Sequence, residues 1–134
     1  MKLDPTPLAN AVERLREGLR RYESEPKDEQ IRDGLIQRFE FTYELSHRML
    51  RRYLKESAAS PEEFDRMAFA DLVRAGNQQG LLRADWLAWR RFREMRARTS
   101  HTYDAKTASE VVGTIPAFLE EVEYLCVELK KRLS

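Results

Sequence analysis

Arg96, His101 and Tyr103 are the residues of this sequence whose types and spacing best suit chemistry on a phosphate group. An arginine holds a phosphate with fixed, permanently charged donors, and a histidine exchanges protons near neutral pH. Arg96 and His101 together would suffice for metal-free cleavage of a phosphodiester, with the histidine exchanging a proton with a hydroxyl. The two side chains can act on one phosphate only if the elements that carry them bring them close together.

The conformation of residues 99–104 determines whether the side chains of Arg96 and His101 lie close together. On a continuous helix, five steps of about 100° would place Arg96 and His101 about 140° apart, too far to act on one small group. Residues 99–104 read TSHTYD, which is rich in weak helix formers. This composition predicts that the helix ends near Arg98 and that the chain folds back. A structural alternative stays open, in which His101 and Ser100 satisfy helix-end backbone groups and Arg96 pairs with a carboxylate.

An arginine-rich stretch surrounds the pair. Six arginines fall within positions 83–98, opposed only by Asp85 and Glu94; they are Arg83, Arg90, Arg91, Arg93, Arg96 and Arg98. A basic stripe beside a phosphate-handling pair favours RNA, a nucleotide or an acidic partner. Arg93, Arg98 and Ser100 are therefore candidate residues for binding a substrate or partner. The alternative is an ordinary solvated helix face.

Other reactive or aromatic residues have simpler interpretations. Trp86, Trp89 and Phe92 could stack on bases, but their helical spacing favours a core or a dimer seam. His47 has no evident partner and is expected to be structural, and Cys126 falls on the apolar face of the last helix. With two histidines and one cysteine, a metal site is not expected, and we expect no cofactor.

Composition bounds the class of protein. The chain has 134 residues, with 24 Lys and Arg against 23 Asp and Glu, a size typical of one domain over residues 1–134. The net charge close to zero argues against an overall positive electrostatic field that would attract nucleic acid. A single cysteine excludes an intramolecular disulfide. Since no apolar run approaches the roughly 20 residues of a membrane span, we expect a cytoplasmic protein that makes no use of a membrane.

Apolar periodicity and capping signals predict an all-α protein, an up-and-down antiparallel bundle of four to five helices. The first helix follows residues 4–7 and ends near residues 24–27. A second helix begins at a capping Asp28 and runs to about Ser57. A third begins at Ser60-Pro61 and continues to Gly80, and Asp85 caps a fourth. The last helix begins near Ala105, and Gly113 and Pro116 are expected to kink or divide it.

Two sequence blocks coincide with a known family. Residues 37–45 read QRFEFTYEL, which resembles the family's second-helix signature, and residues 99–104 reproduce its TSHTYD. Trp89 lies seven residues before Arg96, and the order and separation of the blocks also fit. The chain resembles the nucleotidyltransferase substrate-binding proteins, a small helical group within the HEPN superfamily, over nearly its whole length.

The resemblance implies a homodimeric helical bundle that partners a minimal nucleotidyltransferase, usually encoded next door. Related HepT-type proteins are toxins that cleave RNA across the dimer interface and are silenced when AMP is transferred to a motif tyrosine. Carried over to this sequence, Arg96 would stabilise the phosphate, His101 would be the general acid and base, and Tyr103 would accept AMP. Where the family usually has a polar residue after the motif arginine, this chain has Ala97, which cannot orient Arg96 by hydrogen bonding.

Two functions remain in competition at the level of sequence. One is a helical, substrate-binding partner of a minimal nucleotidyltransferase, acting as a homodimer. The other is a metal-independent ribonuclease toxin held in check by that partner. Ala97 favours the first function, and the intact set of Arg96, His101 and Tyr103 favours the second. In either case we expect the fourth helix and the motif segment to lie near the two-fold axis.

Overall fold

The computed structural model describes residues 3–133, and all regular structure in that range is helical. The six α-helices are α1 (Thr6–Ser24), α2 (Glu29–Glu56), α3 (Glu62–Asp65), α4 (Phe69–Gln78), α5 (Trp86–Ala97) and α6 (Ala105–Leu133), with a short 3-10 helix over Arg98–His101. The predicted all-α bundle is confirmed. No helix within residues 3–133 is long and apolar enough to cross a membrane.

The predicted start of α2 is confirmed by its cap. The Asp28 side chain accepts hydrogen bonds from the backbone N–H groups of Gln30 and Ile31, at 2.9 and 3.1 Å. These bonds satisfy donors that have no partner inside the helix. α2 then runs for 28 residues to Glu56, and it packs along α1 and contacts every other helix of the bundle.

The predicted third helix is wrong in one respect, because the chain forms two helices there. α3 ends at Asp65, and Ala68 adopts an extended conformation with φ −61° and ψ 148° before α4 begins. The Arg51 guanidinium of α2 donates to the backbone oxygens of Phe64 and Met67. A side chain from α2 thus occupies two carbonyls that would have accepted helix hydrogen bonds. The total of six α-helices exceeds the four to five predicted mainly for this reason.

α6 is a single unbroken helix, so the expectation that Gly113 and Pro116 divide it is wrong. Pro116 lies on the exposed face, while its neighbours Ile115 and Phe118 are fully buried. One proline removes one helix hydrogen bond, and the tertiary packing on both sides of it holds the helix together.

The core is rich in aromatic rings that meet edge to face. Phe39 of α2 lies 5.1 Å from Phe118 of α6, centre to centre, and Trp89 lies 5.3 Å from Phe92. Trp89 and Phe92 are buried, which confirms their assignment to the core, while Trp86 is half-buried and packs against Phe69. Rings at such separations and angles stabilise a core beyond the area they bury.

A buried carboxylate holds the loop between α4 and α5 against α6. Glu121 accepts hydrogen bonds from the backbone N–H groups of Arg83 and Ala84, at 3.2 and 3.0 Å, and from Trp89 Nε1 at 2.8 Å. Gly80, the predicted end of the helix, has φ +74°, a conformation that glycine adopts without strain. The start of α5, and with it the position of Arg96, is fixed by these contacts.

Candidate functional site

The predicted break between the motif residues is present. α5 ends at Ala97, the chain continues as a 3-10 helix to His101, and α6 begins at Ala105. Asp104 begins α6 with its side chain, which accepts a hydrogen bond of 2.9 Å from the Thr107 hydroxyl. This bond, followed by that from the Lys106 N–H, lowers the pKa of Asp104. Arg96 and His101 therefore do not lie on one continuous α-helix.

Arg96 faces α2 and is enclosed by two carboxylates. Its Nη2 donates to Glu44, and its Nη1 lies 3.6 Å from Glu40 Oε2. The side chain of Arg96 is 28% exposed, whereas those of Glu40 and Glu44 are 41% and 54% exposed. The sequence-based alternative that Arg96 pairs with a carboxylate is thus observed, with two carboxylates instead of one.

Thr99 links the same cluster to the bend. Its hydroxyl lies 2.5 Å from Glu40 Oε2 and 2.8 Å from the backbone oxygen of Arg96, and Arg96 Nη1 lies 3.4 Å from it. Arg96 Nε is buried and has no hydrogen-bond partner in the part of the chain that the structure describes. The guanidinium is therefore held by its terminal nitrogens while one of its donors goes unused.

His101 and Tyr103 lie on the outer side of the bend. His101 is exposed, and Tyr103 is 89% exposed. Within residues 3–133, neither side chain makes a hydrogen bond or an ion pair, so none joins the His101 ring to Arg96. The backbone oxygen of His101, rather than its ring, takes part in the turn by accepting from the Asp104 N–H at 3.4 Å. A single chain thus holds Arg96 engaged and presents His101 and Tyr103 to solvent.

The other candidate binding residues are dispersed. Arg93 lies over the Phe69 ring, with its guanidinium carbon 5.8 Å from the ring centre, and Arg98 forms a 2.6 Å ion pair with Glu110. Ser100 is exposed on the 3-10 helix. Because Arg90 also pairs with Glu94, much of the arginine-rich stretch is neutralised locally, as the solvated-face alternative expects.

His47 does have a partner, which the sequence analysis did not find. Its Nε2 lies 3.3 Å from Arg51 Nη2, and its ring centre lies 4.3 Å from that of Phe69. Burial, then the positive charges of Arg51 and Arg93, lowers the pKa of His47 to about 4. His47 is consequently neutral at physiological pH and supports the side chain that separates α3 from α4, which agrees with its structural assignment.

Cys126 is buried on α6, as expected, and burial raises the pKa of its thiol. The thiol is thereby kept in its unreactive protonated form. Among residues 3–133, no group of three His, Cys, Asp or Glu side chains is arranged to hold a metal ion.

Sequence reasoning missed three members of the Arg96 cluster: Glu40, Glu44 and Thr99. The first two lie four residues apart on α2, a spacing that places them on one side of a helix. The periodicity of α2 could have shown that this side is not the core side. Which helix would face it depends on the packing of the whole bundle, and no local pattern contains that information.

Comparison with known proteins identifies the family of this chain. The family model described as "Nucleotidyltransferase substrate binding protein like" matches residues 3–131. A Haemophilus influenzae protein called probable ribonuclease HepT is 39% identical over 99 residues, which cover 74% of this chain and 67% of that protein.

A solved structure from Haemophilus influenzae, described as the fold of a substrate-binding domain of a nucleotidyltransferase, superposes with a TM-score of 0.88 at 30% identity. The match covers 95% of this chain and 99% of the other. The family model extends across both sequence blocks, residues 37–45 and 99–104. The chain belongs to the nucleotidyltransferase substrate-binding protein-like family.

Proposed function

We propose that this protein is the helical, substrate-binding partner of a nucleotidyltransferase. The observation that carries the proposal is the family match over residues 3–131, together with near-complete superposition on a structure described as such a domain. In this role the bundle supplies a surface, and the nucleotidyltransferase supplies the chemistry. Ala97 at the end of α5 agrees with this role, because it offers no side-chain hydrogen bond to a reacting group.

The test is co-expression with the minimal nucleotidyltransferase that we expect to be encoded beside it. We expect the two proteins to purify together through an affinity tag on either one. Recovery of the tagged chain alone, with both proteins expressed and folded, would contradict the proposal.

Tyr103 is the residue we propose for modification by that partner. Its phenol is 89% exposed, so the phosphate of a bound nucleotide could reach the hydroxyl oxygen without unfolding the chain. The oxygen would attack the α-phosphorus of ATP, pyrophosphate would leave, and the hydroxyl proton would pass to a base or to solvent. Co-expression should add the mass of one or more AMP units, and Tyr103→Phe should abolish that gain. A gain that persists in Tyr103→Phe would contradict this assignment.

Ribonuclease activity is the second candidate function, favoured by the relative called probable ribonuclease HepT and by the end of α5 between Arg96 and His101. His101 would take the proton of a ribose 2′-hydroxyl, and the oxygen so activated would attack the adjacent phosphorus. The 5′-oxygen would then leave with a proton, while Arg96 stabilises the phosphate charge.

Expression without the nucleotidyltransferase tests this second function. The ribonuclease function predicts growth arrest and RNA cleavage from the wild type, and no growth arrest from His101→Ala. Cleavage should fall by about 100-fold or more, because general acid–base groups contribute roughly that much. Unimpaired growth with the wild type, or arrest that survives in His101→Ala, would remove this candidate.

A homodimer, with α5 and the bend near its axis, is also part of the proposal. Leu87 of α5 is exposed, and a groove of about 460 Å³ runs between α5 and α6 beside Ala88 and Gly113. An exposed leucine one residue before Ala88, which lies in a groove whose lining includes small residues as well as Phe92, suits the packing of a second helix. The dimer-seam alternative for Trp86, Trp89 and Phe92 is not supported for the last two, because Trp89 and Phe92 lie in the core.

A further inference from the structure

Two carboxylates surround the single positive charge of Arg96. Glu40 and Glu44 of α2 both lie on the guanidinium, so the cluster carries two negative charges for one positive charge. A phosphodiester brings a further negative charge. As long as both carboxylates lie on the guanidinium, they therefore weaken the attraction of Arg96 for a phosphodiester.

The two carboxylates are not equivalent. Glu40 is the less exposed and also lies against the Thr99 hydroxyl at 2.5 Å, which ties it to the bend. Glu44 is half exposed, and Arg96 is the partner with which it forms an ion pair. Glu44 can therefore turn into solvent without disturbing Thr99, whereas displacement of Glu40 would break its contact with the Thr99 hydroxyl.

Arg96 also has unused capacity. Its Nε is buried without an acceptor, and an unpaired buried donor is unfavourable. A phosphate prefers to bind two donors of one guanidinium at once. When Glu44 leaves, a phosphate could take the place of its carboxylate on Nη2, and a small rotation of the guanidinium would give Nε a partner.

We propose that Glu44 is an inhibitory counter-ion that a phosphate must displace from Arg96, and that Glu40, through Thr99, is the positioning residue that keeps the guanidinium at the bend. This inference deepens the second candidate function, since it rests on RNA being the ligand of Arg96. It differs from that function in assigning roles to two residues of α2 and in predicting that removal of one of them strengthens binding.

The experiment is fluorescence anisotropy with a labelled 2′-O-methyl RNA oligonucleotide, which cannot be cleaved by attack of its own 2′-hydroxyl. Glu44→Gln is compared with Glu94→Gln, a matched control. Glu94 is also an exposed glutamate paired with an arginine, Arg90 at 3.5 Å, and its substitution changes the net charge by the same amount. Thermal unfolding of each variant establishes that it is folded.

We expect Glu44→Gln to bind the oligonucleotide about three- to fivefold more tightly than Glu94→Gln, the size expected for the loss of one exposed ion pair. The gain should vanish when Arg96→Ala is combined with Glu44→Gln. Glu40→Gln should bind no more tightly than the wild type, because the position of Arg96 is lost together with the charge.

Equal affinities for Glu44→Gln and Glu94→Gln, a gain that survives Arg96→Ala, or no binding by any variant would each overturn the proposal. The growth assay with His101→Ala is a separate readout. If Glu44→Gln binds RNA more tightly but the wild type does not cleave RNA, the ribonuclease function is contradicted and the counter-ion role of Glu44 is supported. If the wild type cleaves RNA but Glu44→Gln binds no more tightly, the counter-ion role is contradicted and the ribonuclease function is supported.

Discussion

At the scale of single residues, the ionisable groups divide into those that hold the fold and those that face solvent at the bend. Glu121 and His47 are the clearest of the first kind: one buried carboxylate receives three N–H donors, and one imidazole packs between Phe69 and Arg51. His101 and Tyr103 are of the second kind, exposed and without side-chain partners among residues 3–133. Substitutions should therefore separate stability from function.

Glu121→Gln should destabilise the protein by about 2 kcal/mol, because the amide replaces a charged acceptor of three hydrogen bonds and brings an N–H₂ group toward N–H donors. Chemical denaturation measures the change, with Glu120→Gln as the control, since the neighbouring Glu120 is exposed. Equal stability of the two variants would show that the loop between α4 and α5 does not depend on this carboxylate.

The pKa of His47 predicts a pH-dependent contribution to stability. The folded pKa is about 4, against an ordinary value of 6.5, so the unfolded chain binds the proton first as the pH falls. The free energy of unfolding therefore includes the full contribution of neutral His47 above about pH 6.5 and loses it progressively toward pH 4. The loss is on the order of 1 kcal/mol, because the partial exposure of the ring reduces it.

Denaturation curves of the wild type and His47→Gln at pH 7 and pH 5 test this contribution. The wild type should lose more stability than the variant on acidification. His101→Gln is the comparison variant, because it replaces a histidine at an exposed position. A His47→Gln variant that loses as much stability as the wild type between these pH values would refute the argument.

At the scale of elements, α2 connects the core, the Arg96 cluster and the segment that follows it. One side of the helix packs Phe39 into the core, another presents Glu40 and Glu44 to α5, and Arg51 near its end holds the carbonyls between α3 and α4. A change in the position of α2 would therefore reach the motif arginine directly through its two carboxylates.

Two glycines should respond oppositely to a methyl group. A Cβ on Gly76 of α4 would lie 2.9 Å from Leu82 Cδ1 and 3.0 Å from its Cγ, whereas a Cβ on Gly34 of α2 would meet no atom within 4 Å. Gly76→Ala should cost about 1–3 kcal/mol through overpacking. Gly34→Ala should stabilise by about 0.5–1 kcal/mol, because alanine favours a helix interior.

Thermal unfolding of these two variants gives the sign of each effect. A Gly76→Ala protein as stable as the wild type would mean that Leu82 moves aside freely, and the tight packing of the loop after α4 would be contradicted.

Local signals predicted most element boundaries, because they act within one turn of the chain. Asp28 and Asp85 begin α2 and α5 as capping residues, and Gly80 ends the region of α4 with a positive φ. The break after Asp65 was missed because it depends on Arg51, which is distant in sequence but close in space. The carboxylates on Arg96 were missed for the same reason, while the bend at residues 98–104 was found because its composition is local.

At the scale of the whole molecule, the bundle supplies a rigid frame and leaves its reactive groups at one bend. In a single chain, Arg96 is engaged by α2 while His101 and Tyr103 face solvent. The proposed function therefore depends on contacts with other molecules, namely a nucleotidyltransferase that would reach Tyr103 and a second copy of the chain that would pack near α5.

Dimerisation through α5 is testable by sedimentation at micromolar concentration. The wild type should sediment as a dimer, and Leu87→Glu should shift it toward monomer, because a charge would be buried in an apolar contact. Val127→Glu is the control, since Val127 is also exposed but lies on α6 near the end of the bundle. A monomeric wild type, or a dimer weakened equally by both substitutions, would rule out the proposed interface.

The proposed partnership is tested by the molar mass of the protein mixed with the nucleotidyltransferase that we expect to be encoded beside it, determined by light scattering during size-exclusion chromatography. We expect a co-eluting species heavier than either protein alone, which persists in His101→Ala because catalysis is not needed for assembly. Separate elution of the two folded proteins at their individual masses would contradict it.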